Sequence, residues 1–90
     1  MPTKYLLITL LFLTTTISAQ QMPECWYRSQ SAFDKGEFSV ALQWVDSCLA
    51  QKGKNATFWL RKGEILFNQG DYQSALKSLL KADKIKQGYT

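Results

Sequence analysis

The sequence predicts an all-α protein built from two antiparallel helical hairpins that stack on one another. Two observations lead to this prediction. From Trp59 to Ala82, apolar and small residues recur at helical spacing on both sides of Gly70 and Asp71. The same pattern occurs upstream, displaced by 34 residues, with Gly36 in the place of Gly70. A fixed period of this size is the sequence signature of a stacked helical repeat.

The downstream hairpin contains the positions where its two helices are expected to approach most closely. Gly63 lies on the first helix of this hairpin and Ala75 on the second. A larger side chain at either position would push the helices apart. The other residues predicted to pack along this contact are Trp59, Leu66, Tyr72, Leu79 and Ala82.

The first two helices are bounded by residues that favour helix ends. Pro23 suits a first helical turn, and the first helix is expected to run to about Lys35. Gly36 supplies the left-handed residue that ends this helix, and Glu37 opens the second one. A loop near Gly53 then leads into the second hairpin.

The last two helices show the same signals. Asn55 is the predicted N-cap of the third helix. Gly70 and Asp71 repeat the turn seen at Gly36 and Glu37, and the fourth helix is expected to run from Tyr72 to about Lys86. The chain therefore divides into two similar units.

The second unit resembles the tetratricopeptide repeat (TPR) family, whose unit reads W-x2-L-G-x2-Y and then A-x3-F. The residues that carry the resemblance are Trp59, Gly63, Leu66, Ala75 and Leu79. Lys62 stands where the family has Leu, and in the first unit Cys25 stands where it has Trp. The resemblance implies a TPR-like right-handed superhelix of two units, at residues 22–55 and 56–89.

The resemblance also implies where a partner binds, because the first helix of each TPR unit lines the concave side. The candidate partner-binding residues are those of these helices that face away from the hairpin: Trp26, Gln30, Phe33, Leu60, Arg61, Glu64 and Phe67. They predict an apolar strip for an extended or helical segment of another protein, with Arg61 and Glu64 at its edge. The alternative is that Phe33 and Phe67 wedge between helices as core residues. Three other aromatic residues are predicted to pack within the stack: Trp44, Trp59 and Tyr72.

The first 19 residues are predicted to be a secretory signal peptide. Lys4 precedes an apolar run from Tyr5 to Ile17, and small residues precede a cleavage point after Ala19. The alternative is a membrane anchor, but a spanning helix needs roughly 20 apolar residues and this run is shorter. The leader resembles bacterial ones, so we expect the cleaved protein in the periplasm or at the cell surface, without lasting membrane contact.

The two cysteines of an exported chain are candidates for a disulfide. Cys25 lies near the start of the first helix and Cys48 near the end of the second. Antiparallel packing would bring them to the same level of the hairpin. The alternative is that both thiols act as small buried hydrophobic groups.

The composition argues against catalysis and against nucleic-acid binding. The chain contains no His, which removes the usual general base and the commonest metal ligand. Its seven acidic residues are scattered, so neither a cofactor nor a metal site is expected. The basic residues are dispersed and do not cluster among stacking aromatics, which is the pattern that nucleic-acid binding requires.

These observations predict an exported TPR-type scaffold that binds another protein or peptide segment and is not an enzyme. The alternative is that the repeats are the N-terminal segment of a larger bacterial envelope protein, a sensor or an enzyme, and position its other domains. Leu76, Leu80 and Ile85 give the fourth helix an apolar surface, so self-association through this helix is also expected.

Overall fold

A computed structural model of the protein describes residues 22–88. Over these residues the chain forms no strand and four helices, which are α1 (Glu24–Asp34), α2 (Phe38–Gln51), α3 (Ala56–Asn68) and α4 (Tyr72–Gln87). The prediction of an all-α protein is thereby confirmed. The predicted signal peptide with its cleavage point lies outside the described residues, as do Tyr89 and Thr90 at the other end of the chain.

Each helix packs against the next one along the chain, so α1 contacts α2, α2 contacts α3 and α3 contacts α4. One buried cluster joins the first hairpin to α3, and its members are Cys25, Ala32, Ala41, Val45, Cys48, Phe58 and Ile65. Removal of this apolar surface from water is the main source of stability where the two hairpins meet.

The two hairpin turns have the same backbone geometry. Gly36 and Gly70 both adopt left-handed conformations, with φ of +77° and +83°. The residue after each glycine donates its N–H to a carbonyl of the preceding helix, that of Ala32 at 2.9 Å and that of Leu66 at 3.0 Å. This is the hydrogen bond of a Schellman helix end, which needs a residue without a Cβ penalty in the left-handed region. Both predicted glycine turns are confirmed.

Side chains cap the two helices of the second hairpin. The Asn55 side chain accepts a hydrogen bond from the backbone N–H of Phe58 at 3.2 Å, which confirms the predicted cap of α3. The Asp71 side chain accepts from the N–H of Ser74 at 3.3 Å and so caps α4. Such caps satisfy backbone donors that have no partner within the helix.

The helices of each hairpin make a close contact at positions that lie one repeat apart. In the second hairpin, a Cβ on Gly63 would lie 2.6 Å from Leu79 Cδ2 and 3.3 Å from the carbonyl oxygen of Ala75. In the first, the buried hydroxyl of Ser29 donates to the carbonyl oxygen of Ala41 at 3.0 Å. The predicted close approach of Gly63 and Ala75 is therefore confirmed. At the equivalent position of the first hairpin, the hydroxyl of Ser29 has a hydrogen-bond partner on the facing helix.

The close contact at Gly63 gives a testable prediction. Alanine is a better helix former than glycine by about 1 kcal/mol, yet Gly63→Ala should lower the free energy of unfolding by about 1 kcal/mol because its Cβ would overlap Leu79. In a Leu79→Ala protein the same change should cost about 1 kcal/mol less, since the obstructing methyl is gone. Urea denaturation of the four proteins measures this coupling, and equal costs in both backgrounds would contradict it.

The sulfur atoms of Cys25 and Cys48 are bonded in the structure, and their Cα atoms are 5.6 Å apart. Both side chains are buried. The bond joins the start of α1 to the end of α2, at the end of the first hairpin that is opposite to its turn.

The aromatic residues predicted to pack do so unequally. Trp44 and Trp59 are half-buried, and the indole N–H of Trp59 donates to the carbonyl oxygen of Gly53 at 2.7 Å. Tyr72 is exposed, so its predicted packing within the hairpin is wrong. Its ring instead meets Phe67 edge to face, with centroids 5.2 Å apart. Phe38, at the same position of the first hairpin, packs against the buried cluster to which α3 contributes, whereas no further helix among residues 22–88 contributes such a cluster beside Tyr72.

Lys62, which departs from the repeat pattern, is explained by its partner on α2. Its ammonium nitrogen lies 2.8 Å from a carboxylate oxygen of Asp46. The same nitrogen is 5.6 Å from the centroid of the Trp59 ring, and the lysine side chain is largely buried. A salt bridge therefore joins the hairpins at the position where the family has an apolar side chain.

Candidate functional site

The candidate site is the α1/α3 face, which we define by seven residues: Trp26, Gln30, Phe33, Leu60, Arg61, Glu64 and Phe67. The first three lie on α1 and the other four on α3, so the face spans both hairpins. Contacts between side chains of α1 and α3 bring two parts of this face together, while other members of it remain exposed.

Arg61 lies at the middle of the face and connects its two helices. Its guanidinium carbon is 4.9 Å from the ring centroid of Phe33 and 5.2 Å from that of Trp26. Its Nε is buried and has no hydrogen-bond partner, because the nearest Glu64 oxygen is 3.9 Å away, beyond hydrogen-bond range. The expected place of Arg61 at the edge of the strip is therefore wrong. The arginine reaches across α1 because aromatic faces attract its guanidinium.

Trp26 and Phe33 are each divided between the core and the surface. The Trp26 ring packs against Phe58 with centroids 5.7 Å apart, and Phe33 meets Phe38 edge to face at 5.5 Å. Both residues pack against the buried cluster and remain partly exposed. These two rings form the α1 part of the face. The guanidinium of Arg61 packs over both of them.

The rest of the face is open to solvent. Phe67 is 60% exposed and Leu60 is half-exposed. Gln30 and Glu64, which occupy matching places of the two units, are also exposed. The alternative in which Phe67 wedges between helices is therefore wrong. The open part of the face combines an aromatic ring, an aliphatic side chain and two polar groups.

Phe58 is the residue of this region that sequence reasoning did not predict. It is 1% exposed and is the largest of the fully buried side chains. Its neighbour Trp59 matches the repeat pattern and was the residue expected to pack. The available signal was the spacing of Phe58 and Ile65, which are seven residues apart on the side of α3 that meets the preceding hairpin.

Within residues 22–88, no three His, Cys, Asp or Glu side chains are grouped so that they could hold a metal ion. None of the helices in this part of the chain has the length and apolar character needed to span a bilayer. The ionic groups of the face are Arg61 and Glu64, of which Arg61 is mostly buried and Glu64 is exposed.

Comparison of the chain with models of protein families, with curated proteins and with solved structures finds no match in any of the three. The structural class of the protein therefore rests on the arrangement of its helices. It is an all-α protein in which four helices pack in chain order over the described residues, with two glycine turns of the same geometry.

Proposed function

We propose that the protein is an exported TPR-type scaffold that binds a segment of another protein on the α1/α3 face and has no catalytic activity. The TPR assignment is supported by features that recur one repeat apart. These are the two left-handed glycines, the helix contacts at Ser29 and Gly63, and the edge-to-face aromatic pairs at Phe33 and Phe67.

The observation that carries the binding proposal is the exposure of Phe67 and Leu60 on the helix whose Arg61 packs over two aromatic rings of α1. Arg61 packs over Trp26 and Phe33 and forms the part of the surface beside Phe67 and Leu60. A preformed surface loses little conformational entropy when a partner binds. Aromatic side chains are also the type most enriched among residues that dominate binding energy. A partner segment would cover Phe67 and Leu60 and find hydrogen-bonding groups at their border.

Export is supported by the Cys25–Cys48 bond. Disulfides persist in the periplasm and outside the cell and are rare in reducing compartments. The bond therefore agrees with the predicted signal peptide and with a place in the periplasm or at the cell surface. The disulfide would also hold α1, which carries Trp26, Gln30 and Phe33 of the α1/α3 face, against α2.

The binding proposal is tested by affinity capture from envelope extract with matched variants. Phe67→Asp places a charge on the open part of the face, and Glu64→Lys reverses a charge there. Val40→Asp is the control, because Val40 is an exposed apolar residue on α2, away from the face. We expect the unmodified protein and the Val40→Asp variant to capture the same partner, and the two face variants to lose at least about tenfold in affinity for it.

Circular dichroism and thermal melting of each variant show whether its fold is intact. If Phe67→Asp and Glu64→Lys retain the captured partner at full strength while folded, the α1/α3 face is not the binding surface. If Val40→Asp loses the partner and the face variants keep it, binding belongs to the outer side of α2.

A further inference from the structure

A groove of about 320 Å³ lies between the start of α3 and the end of α4. Its apolar lining comes from both helices of the second hairpin and consists of Ala56, Leu60, Leu79 and Ala82. Lys86 stands at its border. This groove, which we call the end groove, lies on the side of α3 and α4 that carries no further helix among the described residues.

The end groove matches the place in the first hairpin that receives α3. One repeat earlier, its four apolar positions are occupied by Met22, Trp26, Val45 and Cys48. Val45 and Cys48 belong to the cluster that buries Phe58, and Met22 and Trp26 pack against that cluster. The end groove is therefore equivalent, one repeat later, to the surface of the first hairpin against which Phe58 packs.

The two copies differ in what covers them. Val45 is fully buried beneath α3, whereas Leu79, its counterpart, is 37% exposed. Phe33 lies under the guanidinium of Arg61, whereas its counterpart Phe67 is 60% exposed and meets the edge of Tyr72. Four leucines of this hairpin are exposed, namely Leu60, Leu76, Leu79 and Leu80. The second hairpin thus exposes Leu60, Leu76 and Leu79, whose counterparts Trp26, Leu42 and Val45 in the first hairpin are partly or fully buried.

Two substitutions between the copies change the chemistry of this surface. Asp83, which lines the end groove, stands in the place of Leu49, which packs against the buried cluster, and the second substitution replaces an ion pair. Asp46 of α2 forms the salt bridge with Lys62 of α3. One repeat later, the place of Asp46 is taken by Leu80, which is exposed. A helix that docked on the end groove as α3 docks on α2 would meet an apolar side chain there. Its residue at the place of Lys62 should therefore be apolar too, because an unpaired ammonium group against leucine is desolvated without compensation.

A second copy of this chain is a poor occupant in either orientation. In a head-to-tail stack, α1 would take the role of α3, and its residues at the seats of Phe58, Lys62 and Ile65 are all polar: Glu24, Arg28 and Ser31. In a two-fold dimer, α4 would face α4, and this helix carries four lysines and one aspartate. Like charges brought together oppose such a dimer.

We infer that the end groove docks an amphipathic helix of another polypeptide, in the register that α3 adopts on the first hairpin. The helix carries an aromatic residue at the place of Phe58, apolar residues four and seven positions later, and an acidic residue in its first turn. The acidic residue complements the positive N-terminal end of the docked helix. Lys86 at the groove offers it a counter-charge, while the neighbouring Asp83 accepts a hydrogen bond from the side-chain amide of Gln87 at 2.9 Å. This surface shares Leu60 with the α1/α3 face but extends onto α4, where Leu79 lines the groove and Leu80 stands in the place of Asp46.

The test uses a peptide derived from the chain's own α3. The leucine probe comprises residues 55–69 with Ala56→Glu and Lys62→Leu, and the lysine probe, its matched control, carries Ala56→Glu alone. Titration of the purified protein, followed by NMR of the Leu79 and Leu80 methyl groups, measures both affinities. We expect the leucine probe to bind about tenfold more tightly than the lysine probe. A Leu80→Asp protein has a carboxylate at the position that is equivalent to Asp46. It should reverse this order and bind the lysine probe more tightly than the leucine probe.

A version of the leucine probe with Phe58→Ser should lose binding, because the aromatic residue fills the groove. Leu80 is exposed, so Leu80→Asp is expected to leave the fold intact, and circular dichroism checks this. The inference is overturned if the leucine probe fails to perturb these methyl groups, if Leu80→Asp leaves the order of the two peptides unchanged, or if sedimentation shows a dimer that covers Leu79 and Leu80. None of these results bears on Glu64→Lys, which tests the α1/α3 face separately.

Discussion

Replacement of Phe58 by alanine is expected to lower the free energy of unfolding by about 3 to 4 kcal/mol. The ring is 1% exposed and lies in the cluster that joins the first hairpin to α3. Its loss removes a large apolar surface from this junction and leaves a cavity beside Trp26, whose ring now packs on it. In a stack where each unit contacts only its neighbour, the junction also maintains cooperativity. The unfolding transition of Phe58→Ala should therefore be broader as well as earlier.

Phe67→Ala is the matched control for this change. It removes the same side chain from the same helix, but at a position that is 60% exposed. Its cost should be below about 1 kcal/mol, because little of its surface is removed from water on folding. Guanidinium denaturation followed by circular dichroism gives both values. If Phe58→Ala costs no more than Phe67→Ala, the two hairpins are not held together by this cluster.

The turns and caps of the fold were predictable because local backbone chemistry decides them. A glycine between two helical patterns has few alternatives to the left-handed helix end, as Gly36 and Gly70 illustrate. Asn55 likewise caps a helix by contacting an N–H three residues away. The close contact at Gly63 was also predictable, since a missing side chain in an apolar helix face has few uses other than proximity. These features require no knowledge of the distant parts of the chain.

The side chains between hairpins were harder to place, because their positions depend on the angle at which α3 crosses α1 and α2. Arg61 has a long side chain that reaches two aromatic rings on another helix, and its sequence neighbours say nothing of those rings. Lys62 departs from the repeat pattern, and its reason, Asp46, lies on the preceding helix. Exposure of Phe67 was equally hidden, since helical spacing alone does not say whether an aromatic residue is covered by a neighbouring helix.

Reduction of the Cys25–Cys48 bond should lower the free energy of unfolding by about 3 kcal/mol, the chain-entropy value for a loop of this length. The two cysteines are 23 residues apart in sequence, and the bond closes the end of the first hairpin that the Gly36 turn leaves open. A small helical domain has little stability in reserve, so this is a large share of the total. Denaturation with and without a reductant measures the change.

The effect of reduction should also be local. The second hairpin has no covalent link at its open end, where Ala82 occupies the place of Cys48. Reduction should therefore increase amide hydrogen exchange near the start of α1 and the end of α2 more than within α3 and α4. A protein with both cysteines changed to alanine is the control, because it should match the reduced protein and ignore the reductant. An unchanged denaturation midpoint on reduction, with both thiols shown to be free, would mean that packing of α1 on α2 alone holds the first hairpin closed.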